Sequence, residues 1–150
     1  MTEIDLDRFF KAQENTWRMA RQELQNGKKK THWIWWIFPE CDHDALGTSE
    51  TTKKYQIHSL EEADEYFGDI LLGSRLTKCA QALLDSGKDN IKDIVYWPDD
   101  LKIKSSMTLF EEVVKRANRS DDEFTKVLEK YFDGERCEYT LEWIADQIQA

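Results

Sequence analysis

Helix breakers are scarce in this chain: two prolines and six glycines are spread over 150 residues. Those two residue types punctuate secondary structure, so their scarcity predicts helices joined by short loops. The apolar spacing agrees. Leu6, Phe10, Gln13, Trp17, Ala20 and Leu24 recur by threes and fours, which puts them on one face of a first helix over about residues 5–26, stopped at Gly27. The run 33–38 reads as a short helix ending before Pro39, although a short apolar run also fits a strand. Residues 40–48 read as a polar loop. Ser59 and Glu62 form a capping box that opens a helix stopping near Gly68. Leu72, Leu76, Cys79, Ala80, Leu83 and Leu84 make the next apolar face, closed by Gly87. Asp99 caps a helix with Ile103, Met107, Phe110, Val114 and Ala117 inward. Ser120 and Glu123 form a second box before Phe124, Val127, Leu128 and Tyr131, with Gly134 as the stop. Thr140 caps the last helix, with Leu141, Ile144, Ala145 and Ile148 inward. No stretch alternates with a period of two. The expected fold is all-α, a single compact domain over residues 1–150 with six or seven helices.

Composition excludes several functions. The net charge of -9 argues against general nucleic-acid binding. The longest apolar run, residues 33–38, falls far short of the about 20 residues a membrane helix needs, so no membrane association is expected. No secretory leader pattern opens the sequence. The three cysteines, at 41, 79 and 137, are too scattered for a disulfide framework, and a reducing cytoplasm is the expected compartment.

Four groupings can carry chemistry. Lys30, Thr31, His32 and Trp33 run into Trp35 and Trp36. Flat rings stack on a base or sugar, and a nearby Lys or His holds a phosphate; the same run also suits a dense core segment. Lys102, Lys104, Ser105 and Ser106 lie in the first turns of the helix after Asp99, where free backbone N–H groups favour an anion. That segment lacks the glycines of a Walker loop, and a capped, solvated helix start explains it as well. Cys41 and His43 lack a second ligand pair, so no metal site is expected, and no cofactor is implied. Asp7 and Gln13 lie within two turns of each other on the first helix; Asp7 also suits the positive helix start, and Gln13 a hydrogen bond to a neighbouring helix.

Several of these segments carry a resemblance. Leu6, Asp7, Arg8 and Phe9 with Ala12 and Gln13, the run from His32 to Pro39, Tyr55 to Ile57, Leu72 to Leu76, and Asp99 to Lys102 leading into Ser105 to Phe110 resemble the bacterial domain-of-unknown-function 1810 family. Genome files sometimes label that family calpastatin. The resemblance implies a helical domain of this size and no established activity. Within it, Thr31 stands for the usual serine, Glu40 for the usual glutamine, and Trp97 with Pro98 for an aromatic–glycine pair. The chain is also similar to the superfamily associated with NAD and ADP-ribose metabolism, through Asp7, the segment from Phe9 to Gln13, and Tyr96 to Asp99 with Lys102, Lys104 and Leu109. That likeness implies a nucleotide or ADP-ribose-like ligand and N-glycosidic hydrolysis. Asp7 would stabilise an oxocarbenium-like centre or activate water, Trp33 or Trp36 would stack on the ligand, and Lys102, Lys104 and Ser105 would hold phosphate. These roles require Asp7, His32, Trp33 and Lys102 to meet at one hollow. The alternative is a non-catalytic protein-interaction module using an exposed aromatic surface over residues 33–38.

Overall fold

A computed structural model describes residues 3–149. The described residues form nine α-helices: α1 (Asp7–Gln13), α2 (Trp17–Gln25), α3 (Ile34–Ile37), α4 (Glu50–Tyr55), α5 (Leu60–Gly68), α6 (Ile70–Leu84), α7 (Asp99–Arg116), α8 (Glu123–Phe132) and α9 (Glu138–Gln149). Two single-turn 3-10 helices, Asp44–Leu46 and Ile91–Asp93, lie between them. The only strand-like pairing among these residues is a parallel bridge between Cys41 and Ile57. None of the helices is long and apolar enough to cross a membrane.

The helix count exceeds the expected six or seven for two reasons. The expected helix over 5–26 is interrupted, and α4 occupies a stretch for which no helix was foreseen. Asn15 and Thr16 are poor helix formers, and the Thr16 hydroxyl donates back to the Ala12 carbonyl at 2.6 Å. The Thr16 oxygen also accepts the Trp36 indole N–H at 2.9 Å, and Gln13 at the end of α1 donates to the Trp36 carbonyl at 2.7 Å and to the Tyr66 hydroxyl at 2.9 Å. The break thus lets two neighbouring polar residues grip one tryptophan. Gln13, the polar member of an apolar stripe, is buried with both bonds of its Nε2 supplied there, while its Oε1 has no partner.

Helix starts follow side-chain chemistry only in part. The Ser59 hydroxyl accepts the Glu62 N–H at 3.0 Å, as expected of a capping box, while Glu62 turns to the His58 N–H and to Arg8. Asp69 caps α6 through the N–H groups of Leu71 and Leu72. Gly73 follows because a Cβ there would lie 2.1 Å from the Phe67 carbonyl oxygen. The Ser120 box does not form, since α8 starts after Asp122 without a side-chain cap. Pro98, not Asp99, stands at the N-cap of α7. Thr140 is not a cap either: α9 begins at Glu138, so its buried face is Thr140, Trp143 and Ile144, and Leu141, Ala145 and Ile148 are exposed.

The 18-residue α7 is the axis of the domain. It packs against α3, α5, α8 and α9, so it is buried on several sides from Ser105 to Glu111; Ala117, expected inward, is exposed past its end. The α6 helix packs on α2, α5 and α8. Tyr66 joins the two halves of the core, edge-on to Phe9 at 5.0 Å and tilted against Phe110 at 5.3 Å.

Candidate functional site

A cavity of about 840 Å³ opens where α7 and α9 begin. A cleft of this size takes a drug-sized ligand. Glu40 lies in its floor, Lys102 and Lys104 on the α7 side, and Glu138 and Tyr139 on the α9 side. Residues 45–47 close a third side, and Trp97, 73% exposed, stands at the rim.

Glu40 is delivered there by the bridge that follows α3. The Ile57 N–H donates to the Glu40 carbonyl at 2.8 Å and the Asp42 N–H to the Ile57 carbonyl at 3.0 Å, which fixes the backbone on either side of Cys41. The opposite wall is fixed to α7. Arg136 holds Glu111 through two nitrogens, Thr125 donates to the same carboxylate at 2.6 Å, and the Cys137 N–H donates to Thr108 at 3.0 Å. Burial pushes the Glu111 carboxyl up, but Arg136 and Thr125 outweigh that and hold it below the usual carboxylate value.

Burial has the upper hand at Glu40. Its carboxyl is pushed up to about 8 by removal from water, which the attraction of Lys102 and the nearby Ser105 hydroxyl do not offset, and Asp99 adds to the rise. At neutral pH Glu40 is therefore mostly a neutral acid. Behind it, the Ser105 and Thr140 hydroxyls share a hydrogen bond of 2.9 Å. The buried Cys41 thiol is pushed up to about 12 by its apolar surroundings and stays protonated. The cleft lysines are loosely held, with Lys102 3.8 Å from Asp99 and Lys104 3.5 Å from Glu135.

The expected site residues divide into separate places. Lys102 and Lys104 line the cleft, and Ser105 stands behind its floor. Ser106 faces the core, its hydroxyl buried without a partner. Trp33 is 1% exposed, and its indole N–H donates to Glu23 at 3.0 Å, so its ring is core and cannot stack on a ligand. Lys30 and Thr31 give their N–H groups to the same Glu23 carboxylate, which sets the loop before α3. The Lys30 and His32 side chains are exposed and do not line the cleft. Gln13 and Trp36 hold one another at the helix break. Asp7 is exposed at the start of α1, where its neighbour Arg8 ties that helix to Gln56 and Glu62.

The meeting of Asp7, His32 and Trp33 with Lys102 around one hollow is therefore not formed, because local hydrogen bonds and core packing claim those segments. An exposed aromatic surface over residues 33–38 is not formed either: Trp33, Ile34, Ile37 and Phe38 are buried, and Trp35 and Trp36 are partly covered. The exposed rings are Tyr96, Trp97 and Tyr139, two of them at the cleft. Glu40 was missed because its burial depends on Ile57, Ser105 and Lys102, all remote in sequence. Its one signal was a glutamate directly after an apolar run and Pro39.

Comparison with known proteins places this architecture. The profile of the family described as "Protein of unknown function (DUF1810)" matches residues 3–144. The crystal structure of the conserved hypothetical protein Rv1873 from Mycobacterium tuberculosis is similar to the chain, with 37% identity, a TM-score of 0.86, and coverage of 95% of this chain and 97% of that one. No curated protein matches significantly. The likeness to the NAD- and ADP-ribose-associated superfamily is not confirmed.

Proposed function

The chain belongs to the DUF1810 family, and on that premise we propose that its cleft binds a small anionic ligand carrying a flat ring, of about nucleotide size. The observation that carries this reading is the meeting, in one cavity of about 840 Å³, of a neutral buried carboxyl, two loosely paired lysines and two exposed rings. Lys102 and Lys104 can turn from their long ion pairs to a phosphate without breaking a short hydrogen bond. Protonated Glu40 donates a hydrogen bond to an anion that its ionised form would repel. Trp97 and Tyr139 offer faces for stacking. Of the N-glycosidase roles implied by the second likeness, phosphate binding by the two lysines fits this cleft. The acid–base role falls to Glu40 rather than to Asp7, which lies outside the lining.

A thermal-shift titration with nucleoside monophosphates, ADP-ribose and sugar phosphates tests the reading, because a ligand of the native state raises its stability. A ring-bearing phosphate should raise Tm more than a ring-free sugar phosphate. Lys102→Gln and Lys104→Gln should each weaken binding about tenfold, or about 1.4 kcal/mol. No shift with any of these ligands, or a shift that both substitutions leave intact, would remove the proposal.

A further inference from the structure

Away from the cleft, α2 and α6 gather three cations around one tryptophan. The Arg75 and Arg18 guanidiniums lie 5.3 and 5.8 Å from the Trp17 ring centroid, and the Lys78 ammonium lies 5.8 Å from it. The spacing produces the cluster: Arg18 follows Trp17 directly on α2, Arg75 and Lys78 are three residues apart on α6, and the two helices pack together. Among the described residues none of the three forms an ion pair, although the chain carries a net charge of -9.

Nearby acids in the sequence form no ion pair with the cluster. Asp69 spends one carboxylate oxygen on the cap of α6, and neither it nor Glu14, four residues before Arg18, pairs with any of these cations. The indole face draws the cations together and leaves their charge available. Lys78 also lines a second cavity, of about 400 Å³, with the hydroxyl-bearing Ser74 and Thr77. Of the acids in that lining, Asp69 is the α6 cap and Asp121 pairs with Arg119 at 2.8 Å. Three cations without ion pairs thus converge on one ring of an acidic protein, an arrangement that draws in an anion.

We propose that this spot is a second binding site, for a compact, multiply charged phosphate group such as a di- or triphosphate, contacted by Arg75 and Lys78. The cations converge on one ring instead of lining a track, and the acidic surface beyond them repels an extended polyanion. The site does not depend on the cleft or on what the cleft binds.

Isothermal titration of the full chain with inorganic tripolyphosphate, against sodium sulfate at equal ionic strength, tests the site. Saturable binding is expected, weakened about tenfold or more by Lys78→Gln and by Arg75→Gln, and unchanged by Lys126→Gln on the exposed side of α8, which lines neither cavity. The exposed Arg18→Gln, expected to weaken binding about threefold, keeps the test valid if the half-buried Arg75 proves necessary for folding. Heat no greater than that of sulfate overturns the proposal, as does binding that survives the Lys78 and Arg18 substitutions. Tighter binding of an acidic peptide or a single-stranded oligonucleotide than of tripolyphosphate also overturns it.

Discussion

Glu23 and Glu40 are almost equally hidden, at 8% and 7% exposure, yet their carboxyls end in opposite states. Glu23 accepts from the Lys30 and Thr31 N–H groups, the Thr31 hydroxyl and the Trp33 indole. Burial pushes its carboxyl up, but those donors outweigh burial and hold it below the ordinary value. Glu40 sits deeper among protein atoms and is served by Ser105 and the charge of Lys102, which leaves burial dominant. Exposed area alone therefore does not set the charge of a hidden carboxyl; depth and the number of donors aimed at it do. The saturated carboxylate organises structure, whereas the undersupplied one faces a cavity with bonding capacity to spare.

The largest effect should come from taking the acceptor out of the saturated node. Glu23→Ala leaves the buried Trp33 N–H without a partner and frees the 30–31 turn, which should cost about 3–4 kcal/mol in urea unfolding. A loss below about 1 kcal/mol would mean that the donors are not held by Glu23 and would break the contrast.

Glu40→Gln comes next. The folded state holds the Glu40 proton above the ordinary value of 4.5 and releases it only near 8, so this group's contribution to stability is full below 4.5 and is lost as the pH rises through about 8. The amide has no such slope. It should match the parent at pH 5 and exceed it by about 2–3 kcal/mol at pH 9, as read from unfolding midpoints across pH. Parallel pH profiles for the two proteins would show that Glu40 is not held neutral.

Ser105→Ala removes one of the few groups favouring the ionised form of Glu40 and leaves Thr140 without its partner. It should cost about 1 kcal/mol and move the carboxyl's titration to higher pH, observable by carbon-13 NMR of the carboxyl. The smallest effect belongs to a carboxylate in water. Glu142, on the exposed side of α9, meets His43 at 3.4 Å, and Glu142→Gln should change stability by less than about 0.5 kcal/mol.

The sequence showed the helical class and most helix stops because those signals are local. Gly27 and Gly134 have positive φ at the ends of α2 and α8, and Ser59 caps α5. What depended on remote partners stayed hidden. The break after Gln13 needs Trp36, and Thr140 reads as a cap until its bond to Ser105 places it inside α9. The phase of α9 then turned Leu141 and Ile148 outward. Of the candidate residues, Lys102 and Lys104 line the cleft, and they were legible because a helix start announces itself in a few residues. Trp33 and Lys30 misled, because Glu23, seven and ten residues upstream, had already claimed them. Glu40 carried almost no local mark.

The bridge at Cys41 and Ile57 has an evolutionary consequence. Both ends of the stretch 42–56 are fastened at one point, so the chain leaves and returns without displacing Glu40. Ala45, Leu46 and Gly47, which shape one side of the cavity, sit on that excursion. An exchange of the loop alone would redraw the mouth around a stationary acid, so relatives can diverge in what they accommodate while inheriting the same scaffold.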